Sequence, residues 1–274
     1  MIYTKAAKEL HISHPAVSKH ISKLEAYYEK ALFYREGNRI SLTQEGKLLL
    51  NYANRILDLY GQLEHDFMAL EEKVPAQMTI GASTTITQYI LPQILAELKI
   101  IYPNLKITLI NGNTEQIESM VASRQIDLGL TEGKTSNPLL HYEAFRRDEI
   151  VLTTRVNNKS FKKAELKQKE LSEIPLVFRE EGSGTRKVIE SVLEGHRFEL
   201  DDLNIQTVIG STEGIKSYLL HTDSFAFISI HAILRELKAN QLKIIDVKRL
   251  EIHRDFHFVY LHGQQSYPIK LIGR

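Results

Sequence analysis

Three short segments combine small residues with hydroxyl side chains, each directly after a predicted strand and directly before a predicted helix. They are residues 81–85 (GASTT), 179–186 (REEGSGTR) and 210–213 (GSTE). Free backbone N–H groups and the positive end of the helix dipole meet at such a turn, and Ser and Thr hydroxyls add further donors. Ligands of open α/β sheets bind outside the carboxyl ends of the strands. Together, the three turns predict a small anion site.

The turns differ in how strongly they favour a ligand over ordinary helix capping. Gly182 and Gly184 permit close approach of the backbone to a ligand, which favours a binding role for the second turn. For Ser211 and Thr212, capping explains the sequence equally well. Thr131 follows the predicted strand 126–130 and either joins the same edge of the sheet or simply ends the strand.

Motifs for catalysis and metal binding are scarce in this sequence. The P-loop pattern, HExxH and GxSxG do not occur. His253 and His257 are four residues apart in a predicted strand, where that spacing does not form a metal pair. The sequence contains no cysteine, which excludes thiol catalysis, disulfides and cysteine zinc sites. We therefore expect no enzymatic activity, no metal and no resident cofactor.

A second candidate for chemistry is the helix predicted after Ser13, which is a good N-cap and is followed by Pro15 in the first turn. Val17, Ile21 and Leu24 recur at spacings of four and three and form one predicted buried stripe. The side chains on the other faces are polar or basic: His14, Ser18, Lys19, Ser22 and Lys23. With a short helix predicted over 4–10, the pattern indicates a DNA-reading helix-turn-helix. The alternative is a small helical hairpin with a solvated outer face.

The residues that follow strengthen the DNA-binding interpretation. Residues 32–43 (LFYREGNRISLT) predict two strands joined by a Gly-Asn turn, which is the pattern of a wing. Arg35 and Arg39 in this hairpin suit contacts to DNA phosphates. Residues 1–47 contain eight Lys or Arg and five Glu, a net charge of +3 in a chain whose total is +1.

A long helix begins at Thr43, a predicted N-cap, and is expected to run to about Glu72. Its apolar residues alternate at spacings of three and four: Leu49, Tyr52, Ile56, Leu59, Leu63 and Leu70. Such a seam predicts a dimerising coiled coil. The alternative is that the helix packs on the protein's own second domain.

After Val74-Pro75, predicted strands alternate with predicted helices, which specifies an α/β sheet protein. A gap in this pattern around 155–175 suggests two lobes, and the charged run 159–173 predicts a solvated helix. The composition, 43% hydrophobic and 25% charged, is that of a soluble globular protein. Neither a membrane-spanning run nor a secretory signal is evident, so we expect a cytoplasmic protein.

These segments resemble the LysR-type transcriptional regulators. The resemblance rests on TKAAKELHISHPAVSKHISKLE, on the wing, on TIGASTTITQYILPQILAELKIIYPNLKITL, on IDLGLTEG and on PLVFREEGSGTR, and it covers nearly the whole chain. The EGSGTR turn resembles that of the subgroup which regulates genes of sulfur assimilation and carbon fixation. The resemblance implies a winged helix-turn-helix, a dimerising linker helix and an α/β effector domain of two Rossmann-like lobes, like a type 2 periplasmic binding protein. It also implies double-stranded promoter DNA, a small anionic co-inducer and a homodimer or homotetramer as partners.

The resemblance assigns roles to individual residues by position. DNA contacts are expected at Ser13, His14, Pro15, Ser18, Lys19, Arg35 and Arg39. Effector contacts are expected at Ser83, Thr84, Thr85, Thr131, Arg179, Glu180, Gly182, Ser183, Gly184 and Thr185. The expected division is a DNA-binding domain 1–43, a linker 44–73 and an effector domain 77–274. Within the effector domain, lobe I comprises 77–150 and 247–274, and lobe II comprises 151–246.

The sequence departs from the family pattern in three places. His14 stands where a glutamine-like residue is usual, and Glu29 stands where a glycine usually ends the recognition helix. Both ends look short, as if the first helix of the DNA-binding domain and a final helix were missing. Our first hypothesis is an effector-responsive transcription factor. The alternatives are a cytoplasmic anion-binding protein with a truncated, non-functional DNA-binding head, and an enzyme on the binding-protein fold, which the lack of a nucleophile–base pair disfavours.

Overall fold

A computed structural model describes residues 6–7, 13–36, 39–70, 76–133, 137–161, 163, 165–263, 269 and 272. The chain divides into two compact units: the first contains the residues up to Asp66 together with His262 and Gly263, and the second contains most of the chain from Phe67 on. The first contains α1 (His14–Tyr28), β1 (Phe33–Glu36), β2 (Arg39–Leu42) and most of α2 (Gln44–Leu70). The helix predicted over 4–10 lies outside the described residues except for Ala6 and Ala7.

The polar start of α1 and its apolar stripe are formed largely as the sequence predicts. The Ser13 hydroxyl caps the helix and accepts a 3.4 Å hydrogen bond from the Ala16 N–H. Val17 is buried against Ala7, and Ile21 packs beside it. The prediction of a buried Leu24 is wrong, because its side chain is 39% exposed. From Ser22 to Tyr28 the residues of α1 are exposed apart from the half-buried Glu25, so the stripe is buried only in the first part of the helix.

Glu29 stands where the family that the sequence resembles usually has glycine, and its backbone conformation is left-handed. Glu29 adopts φ +52° at the end of α1, and its N–H and that of Lys30 both donate to the Glu25 carbonyl. The bond from Lys30 is the six-to-one bond of a Schellman motif, and the bond from Glu29 is that of the simpler left-handed cap; both are common ends of helices. A residue with a Cβ pays a steric penalty there, which explains why glycine is usual.

The wing and the long helix follow directly. β1 and β2 pair antiparallel, from Phe33 opposite Leu42 to Glu36 opposite Arg39. Thr43 caps α2 as predicted, since its hydroxyl accepts from the Gly46 N–H at 2.9 Å and donates to the Ala31 carbonyl at 2.7 Å. A row of apolar side chains along α2 is exposed on this chain: Leu48, Tyr52, Ile56, Leu59 and Leu63.

The second unit alternates strands and helices. Its strands are β3 (Gln77–Ser83), β4 (Lys106–Gly112), β5 (Leu128–Thr131), β6 (Leu140–Arg155), β7 (Glu165–Leu166), β8 (Leu176–Phe178), β9 (Ile205–Val208), β10 (Ala226–Ser229), β11 (Leu242–Val247) and β12 (Ile252–Leu261). Its α-helices are α3 (Leu91–Ile101), α4 (Thr114–Ala122), α5 (Gly184–Gly195), α6 (Thr212–His221) and α7 (Ile230–Lys238). A π-helix (Ile86–Ile90) leads into α3.

The strands form two lobes that share one long strand. In lobe I the order is β4-β3-β5-β12-β6, in which β3, β4 and β5 are parallel and connected through α3 and α4. In lobe II the second half of β6 pairs antiparallel with β10 and β11. β8 pairs parallel with β9 and meets β10 through a parallel bridge. Each lobe has its own apolar core, and the strands β6 and β12 carry the chain between them.

Two details of the predicted secondary structure are wrong. Residues 159–173 do not form a solvated helix but contain β7 and a short 3-10 helix (Gln168–Ser172). Leu166 and Leu171 are fully buried there. The four apolar residues of this charged run, at 161, 164, 166 and 171, do not keep a regular spacing of three and four. β11 and the first half of β6 were not predicted. None of the helices in the described part of the chain has the length and apolarity to cross a membrane.

The left-handed conformation of Glu29 predicts a stabilising substitution. Glu29→Gly should stabilise α1 by about 1 kcal/mol because glycine adopts φ +52° without a steric penalty. Hydrogen exchange of the α1 amides in the full chain should then slow about fivefold. Glu29→Ala is the control, because it keeps the Cβ and should gain nothing. Equal protection in both variants would contradict the explanation.

Candidate functional site

The three hydroxyl-rich turns lie at the carboxyl ends of parallel strands, as predicted. Residues 83–85 end β3, residues 179–183 join β8 to α5, and residues 209–211 join β9 to α6. Ser183 and Ser211 act as N-caps, accepting from the N–H groups three residues further on at 3.4 and 3.3 Å. These two hydroxyls are therefore occupied by helix capping, while the remaining hydroxyls of the turns are available to other partners.

The first two turns meet at a carboxylate of the chain itself, that of Glu132. Its side chain is 2% exposed and lies between the lobes. Oε1 accepts from the Ser83 hydroxyl at 3.0 Å and from the Thr85 N–H at 2.9 Å, both in lobe I. Oε2 accepts from the Thr185 hydroxyl of lobe II and from Arg254 Nη1 at 2.7 Å. An internal anion therefore satisfies the donors that the sequence predicts for a ligand.

Arg254 extends this bridge into the strands that connect the lobes. It lies on β12, and its Nε donates to Asp148 Oδ2 on β6 at 2.7 Å. Its Nη1 also donates to the Thr185 hydroxyl at 2.8 Å. Asp148 accepts in addition from the Ser229 hydroxyl of lobe II at 2.7 Å. The buried charges are thus linked in the order Glu132, Arg254, Asp148.

The surroundings of Glu132 keep it ionised. Burial alone would raise its pKa, but the guanidinium charges of Arg254 and Arg179 and the hydrogen bonds from Thr185 and Thr85 outweigh burial and lower the pKa to about 2. So acidic a carboxylate is a weak base, and its hydrogen bond to Thr185 does not activate a nucleophile. The contact instead holds the two lobes together.

Arg179 makes a second contact between the lobes. Its side chain is 4% exposed. Nη1 donates to the Thr212 hydroxyl of lobe II at 3.2 Å, and Nη2 reaches the Thr84 hydroxyl of lobe I at 3.4 Å. Glu180 completes the group with a bidentate pair, Nε to Oε2 at 2.8 Å and Nη2 to Oε1 at 3.0 Å. One guanidinium thus contacts both lobes and a carboxylate.

The glycines of the second turn allow lobe I to approach closely. A Cβ at Gly184 would lie 2.4 Å from the Thr114 hydroxyl and 2.9 Å from the Glu132 carbonyl oxygen. Gly182 has φ +80°, and a Cβ there would lie 2.9 Å from a carboxylate oxygen of Glu115. The close approach expected of these glycines is therefore made by groups of the other lobe.

A further interlobe contact lies at the π-helix. The Tyr89 hydroxyl, in lobe I, donates to Glu213 Oε1 at the start of α6. Lys216 bonds the same carboxylate at 2.9 Å and Glu236 at 2.8 Å, and its ammonium lies 5.0 Å from the centroid of the Tyr89 ring. Burial and the carboxylate of Glu213 raise the pKa of Tyr89, so this hydroxyl is a donor at neutral pH.

The structure does not bring every predicted residue to this group. The Thr131 hydroxyl donates to the Gly133 carbonyl at 2.9 Å, and the next residue, Glu132, makes the interlobe contacts. Ser18 is half-buried on α1, whereas Lys19 and Pro15 are exposed. Arg35 and Arg39 lie on the paired strands of the wing.

Sequence reasoning named Arg179 and Glu180 but missed three charged members of the group: Glu132, Arg254 and Asp148. Glu132 is the second residue after the predicted strand 126–130, so its position near the carboxyl end was a usable signal. Arg254 and Asp148 lie on neighbouring strands 106 residues apart in sequence. No local sequence pattern predicts that Arg254 and Asp148 pair, because their pairing depends on the register of β12 on β6.

The lowered pKa of Glu132 predicts how stability depends on pH. The folded value, about 2, is below the ordinary value of 4.5, so its contribution is complete above about pH 4.5 and is lost as the pH falls towards 2. Urea unfolding of the second unit should show a loss of about 3 kcal/mol over that range from this group. Glu132→Gln should abolish this part of the loss and cost about 3 kcal/mol at pH 7, since Arg254 loses a buried partner.

Glu181→Gln is the matched control for that measurement. It removes one carboxylate from an exposed position in the turn between β8 and α5. We expect its stability at pH 7 to match that of the parent within about 0.5 kcal/mol. If Glu132→Gln behaved like this control, the buried bridge would not contribute to stability.

Residues 3–47 match the lysR family of bacterial regulatory helix-turn-helix proteins, and residues 72–271 match the LysR substrate binding domain. The HTH-type transcriptional regulator CysL of Bacillus subtilis is 30% identical over 258 residues, 94% of this chain and 85% of the relative. A probable RuBisCO transcriptional regulator of Phaeodactylum tricornutum is 29% identical over 271 residues, 98% of this chain and 88% of that protein.

Solved structures share the fold at lower identity. The regulatory domain of Synechocystis CcmR, in complex with 2-PG, superposes with a TM-score of 0.64 and 23% identity over 72% of this chain and 95% of that domain. A full-length OxyR variant from Pseudomonas aeruginosa superposes with a TM-score of 0.62 and 16% identity, over 99% of this chain and 92% of that chain. The two family matches, the relatives and the shared two-lobed fold agree: the chain belongs to the LysR family of transcriptional regulators, non-enzymatic proteins with a helix-turn-helix and an effector-binding domain.

Proposed function

We propose that this regulator responds to a small anion held by Arg179 between the two lobes. One observation carries the proposal: a buried guanidinium donates to the Thr84 hydroxyl of lobe I and to the Thr212 hydroxyl of lobe II. A planar, permanently charged guanidinium suits carboxylate and phosphate groups, which accept its paired N–H donors. Thr212 is also the first residue of α6, so the helix dipole favours negative charge at the same place.

The remaining predicted effector residues take different parts in this proposal. Thr84, Arg179 and Thr212 form the anion site, and Glu180 is the carboxylate that pairs with Arg179 there. Ser83, Thr85 and Thr185 act through Glu132 by holding the lobes around it. Gly182, Ser183 and Gly184 shape the turn that carries Arg179. Thr131 contributes only through its own turn.

The relatives support an anionic effector. The CcmR regulatory domain was solved with 2-PG, which is 2-phosphoglycolate, a small molecule with one phosphate and one carboxylate. Several relatives of similar identity are named as RuBisCO transcriptional regulators. We infer an effector of the same kind, a small organic anion, and use 2-phosphoglycolate as the probe in the experiments below.

For DNA, we propose that the start of α1 enters the major groove. Ser13, His14, Pro15, Ser18 and Lys19 would meet base edges or phosphates there, since the N-terminal part of a recognition helix reads the groove. Arg35 and Arg39 in the wing would contact the phosphate backbone, which sets the register of the protein on the duplex. Lys19 is exposed on α1, as this role requires.

We propose that α2 pairs with α2 of a second copy. Its exposed row, Tyr52, Ile56, Leu59 and Leu63, keeps the spacing of a coiled-coil seam. The assembly is then a homodimer, or a homotetramer formed from two dimers, that acts in the cytoplasm. We divide the chain into a DNA-binding domain 1–43, a linker 44–73 and an effector domain 77–274.

The proposed response is a shift between arrangements of the lobes. Anion binding strengthens the contacts between Arg179 and both lobes, which favours the arrangement with the lobes together. Because the linker joins the two functions in one chain, this change alters how paired DNA-binding heads meet promoter DNA. A ligand achieves this only if it binds one arrangement more tightly than the other.

The test measures promoter binding and its response to the anion together. We expect the purified regulator to bind its upstream promoter fragment in fluorescence anisotropy, with an affinity that falls as salt increases. Adding 2-phosphoglycolate should change that affinity at least about fivefold, a coupling of about 1 kcal/mol. Arg179→Ala should remove the change.

Lys187→Ala is the matched control, because Lys187 is an exposed cation on α5 that is not part of the proposed site. It should respond to the anion like the parent. A chain that binds no promoter fragment at low salt would contradict the DNA-binding part of the proposal. An undiminished response in Arg179→Ala would contradict the effector part.

A further inference from the structure

The guanidinium at the proposed anion site already has a carboxylate partner, that of Glu180. Both oxygens accept from Arg179, at 2.8 and 3.0 Å. The same carboxyl group lies over the turn before α6, where a Cβ on Gly210 would be 3.8 Å from it. Glu180 therefore occupies the position at which an incoming anion would meet Arg179 and the start of α6.

The two acidic side chains between the lobes differ in how easily they can leave. Glu132 is almost fully buried and accepts from four donors, one of them a backbone N–H. The side chain of Glu180 is 27% exposed, and Arg179 is its hydrogen-bond partner among the residues that the structure describes. Rotating Glu180 outwards exchanges one ion pair for water, whereas removing Glu132 takes one of two buried carboxylate partners from Arg254. Glu180 is thus the exchangeable carboxylate.

We propose that Glu180 is an internal competitor that restricts this site to dianionic, phosphate-bearing effectors. The inference rests on the proposed function, that an anion binds at Arg179. A ligand that gains access to the guanidinium must first displace a carboxylate from it. The strength of that internal ion pair then sets which ligands bind.

A monocarboxylate competes poorly with Glu180 because both offer the same two oxygens. Glu180 is covalently attached next to Arg179, so its effective concentration is far above that of a free ligand. When a free monocarboxylate replaces Glu180 on Arg179, the charge facing the guanidinium is unchanged. The ligand also loses its translational and rotational freedom, which weakens binding.

A phosphate group has two advantages over the internal carboxylate. It carries close to two negative charges at neutral pH, and its three terminal oxygens can meet Arg179 and the Thr84 and Thr212 hydroxyls together. A carboxylate has two oxygens for these three partners. Displacement therefore becomes favourable for phosphate monoesters, while Glu180 returns to its place against monoanions.

The experiment compares two ligands that differ only in the phosphate, 2-phosphoglycolate and glycolate, by titration calorimetry of the full chain at pH 7.5. The parent should bind 2-phosphoglycolate and bind glycolate at least about a hundredfold more weakly. Glu180→Gln should tighten both ligands, and glycolate by about tenfold or more, because the competing charge is gone. The ratio of the affinity for 2-phosphoglycolate to that for glycolate should therefore be smaller in Glu180→Gln than in the parent.

Glu181→Gln is the control for the loss of one negative charge, since Glu181 is exposed one residue further on. It should leave both affinities within about twofold of the parent. Glu180→Ala is a second variant that also removes the competitor, and thermal unfolding of each variant checks that its fold is retained. The gain in glycolate affinity should appear in both Glu180 variants.

The outcomes separate this inference from the proposed function. If the parent binds 2-phosphoglycolate, Arg179→Ala abolishes that binding, and both Glu180 variants keep the parent's affinities for both ligands, the competitor role is wrong and the site stands. If neither the parent nor any Glu180 variant binds either anion, or if Arg179→Ala binds like the parent, the proposed site and the inference both fail.

Discussion

The carboxylate of Glu132 is the contact on which the arrangement of the two lobes depends. It accepts from Ser83, Thr85 and Arg254 of lobe I and from Thr185 of lobe II. A buried charge is tolerated only when it is paired and its lone pairs are satisfied. Arg254 pairs with Glu132 within lobe I, whereas the hydrogen bond from Thr185 of lobe II forms only while the lobes touch. Separating the lobes therefore removes a hydrogen bond from a buried charge, which carries an electrostatic cost.

Around this fixed anion, the structure places a second carboxylate under different conditions. Glu180 shares Arg179 with hydroxyls from both lobes, yet it remains partly in water. A buried, fully hydrogen-bonded charge suits a structural bridge. A partly solvated ion pair suits exchange, because water already contacts it and breaking it costs little. The difference in burial between Glu132 and Glu180 thus divides the interlobe region into a framework and a replaceable contact. In our account, ligand recognition uses only the second of these.

Much of the fold and part of the site were predictable from local pattern. The N-caps at Ser13 and Thr43, the wing and the turns that carry Thr84 and Arg179 follow from capping chemistry and periodicity. The anion site was predicted as a place for a ligand, but the sequence did not show that Glu132 already satisfies many of its donors. That result depends on contacts between residues far apart in the chain, such as Arg254 with Asp148, which pattern within one segment cannot reveal.

A crystal structure of the regulator with 2-phosphoglycolate tests the central claim, that an anion binds at the guanidinium shared by the lobes. The account predicts phosphate density about 3 Å from the Arg179 guanidinium and from the Thr84 and Thr212 hydroxyls. It also predicts that Glu132 keeps its present partners. Phosphate density at any other position, or a phosphate that replaces Glu132 on Arg254, would contradict the account.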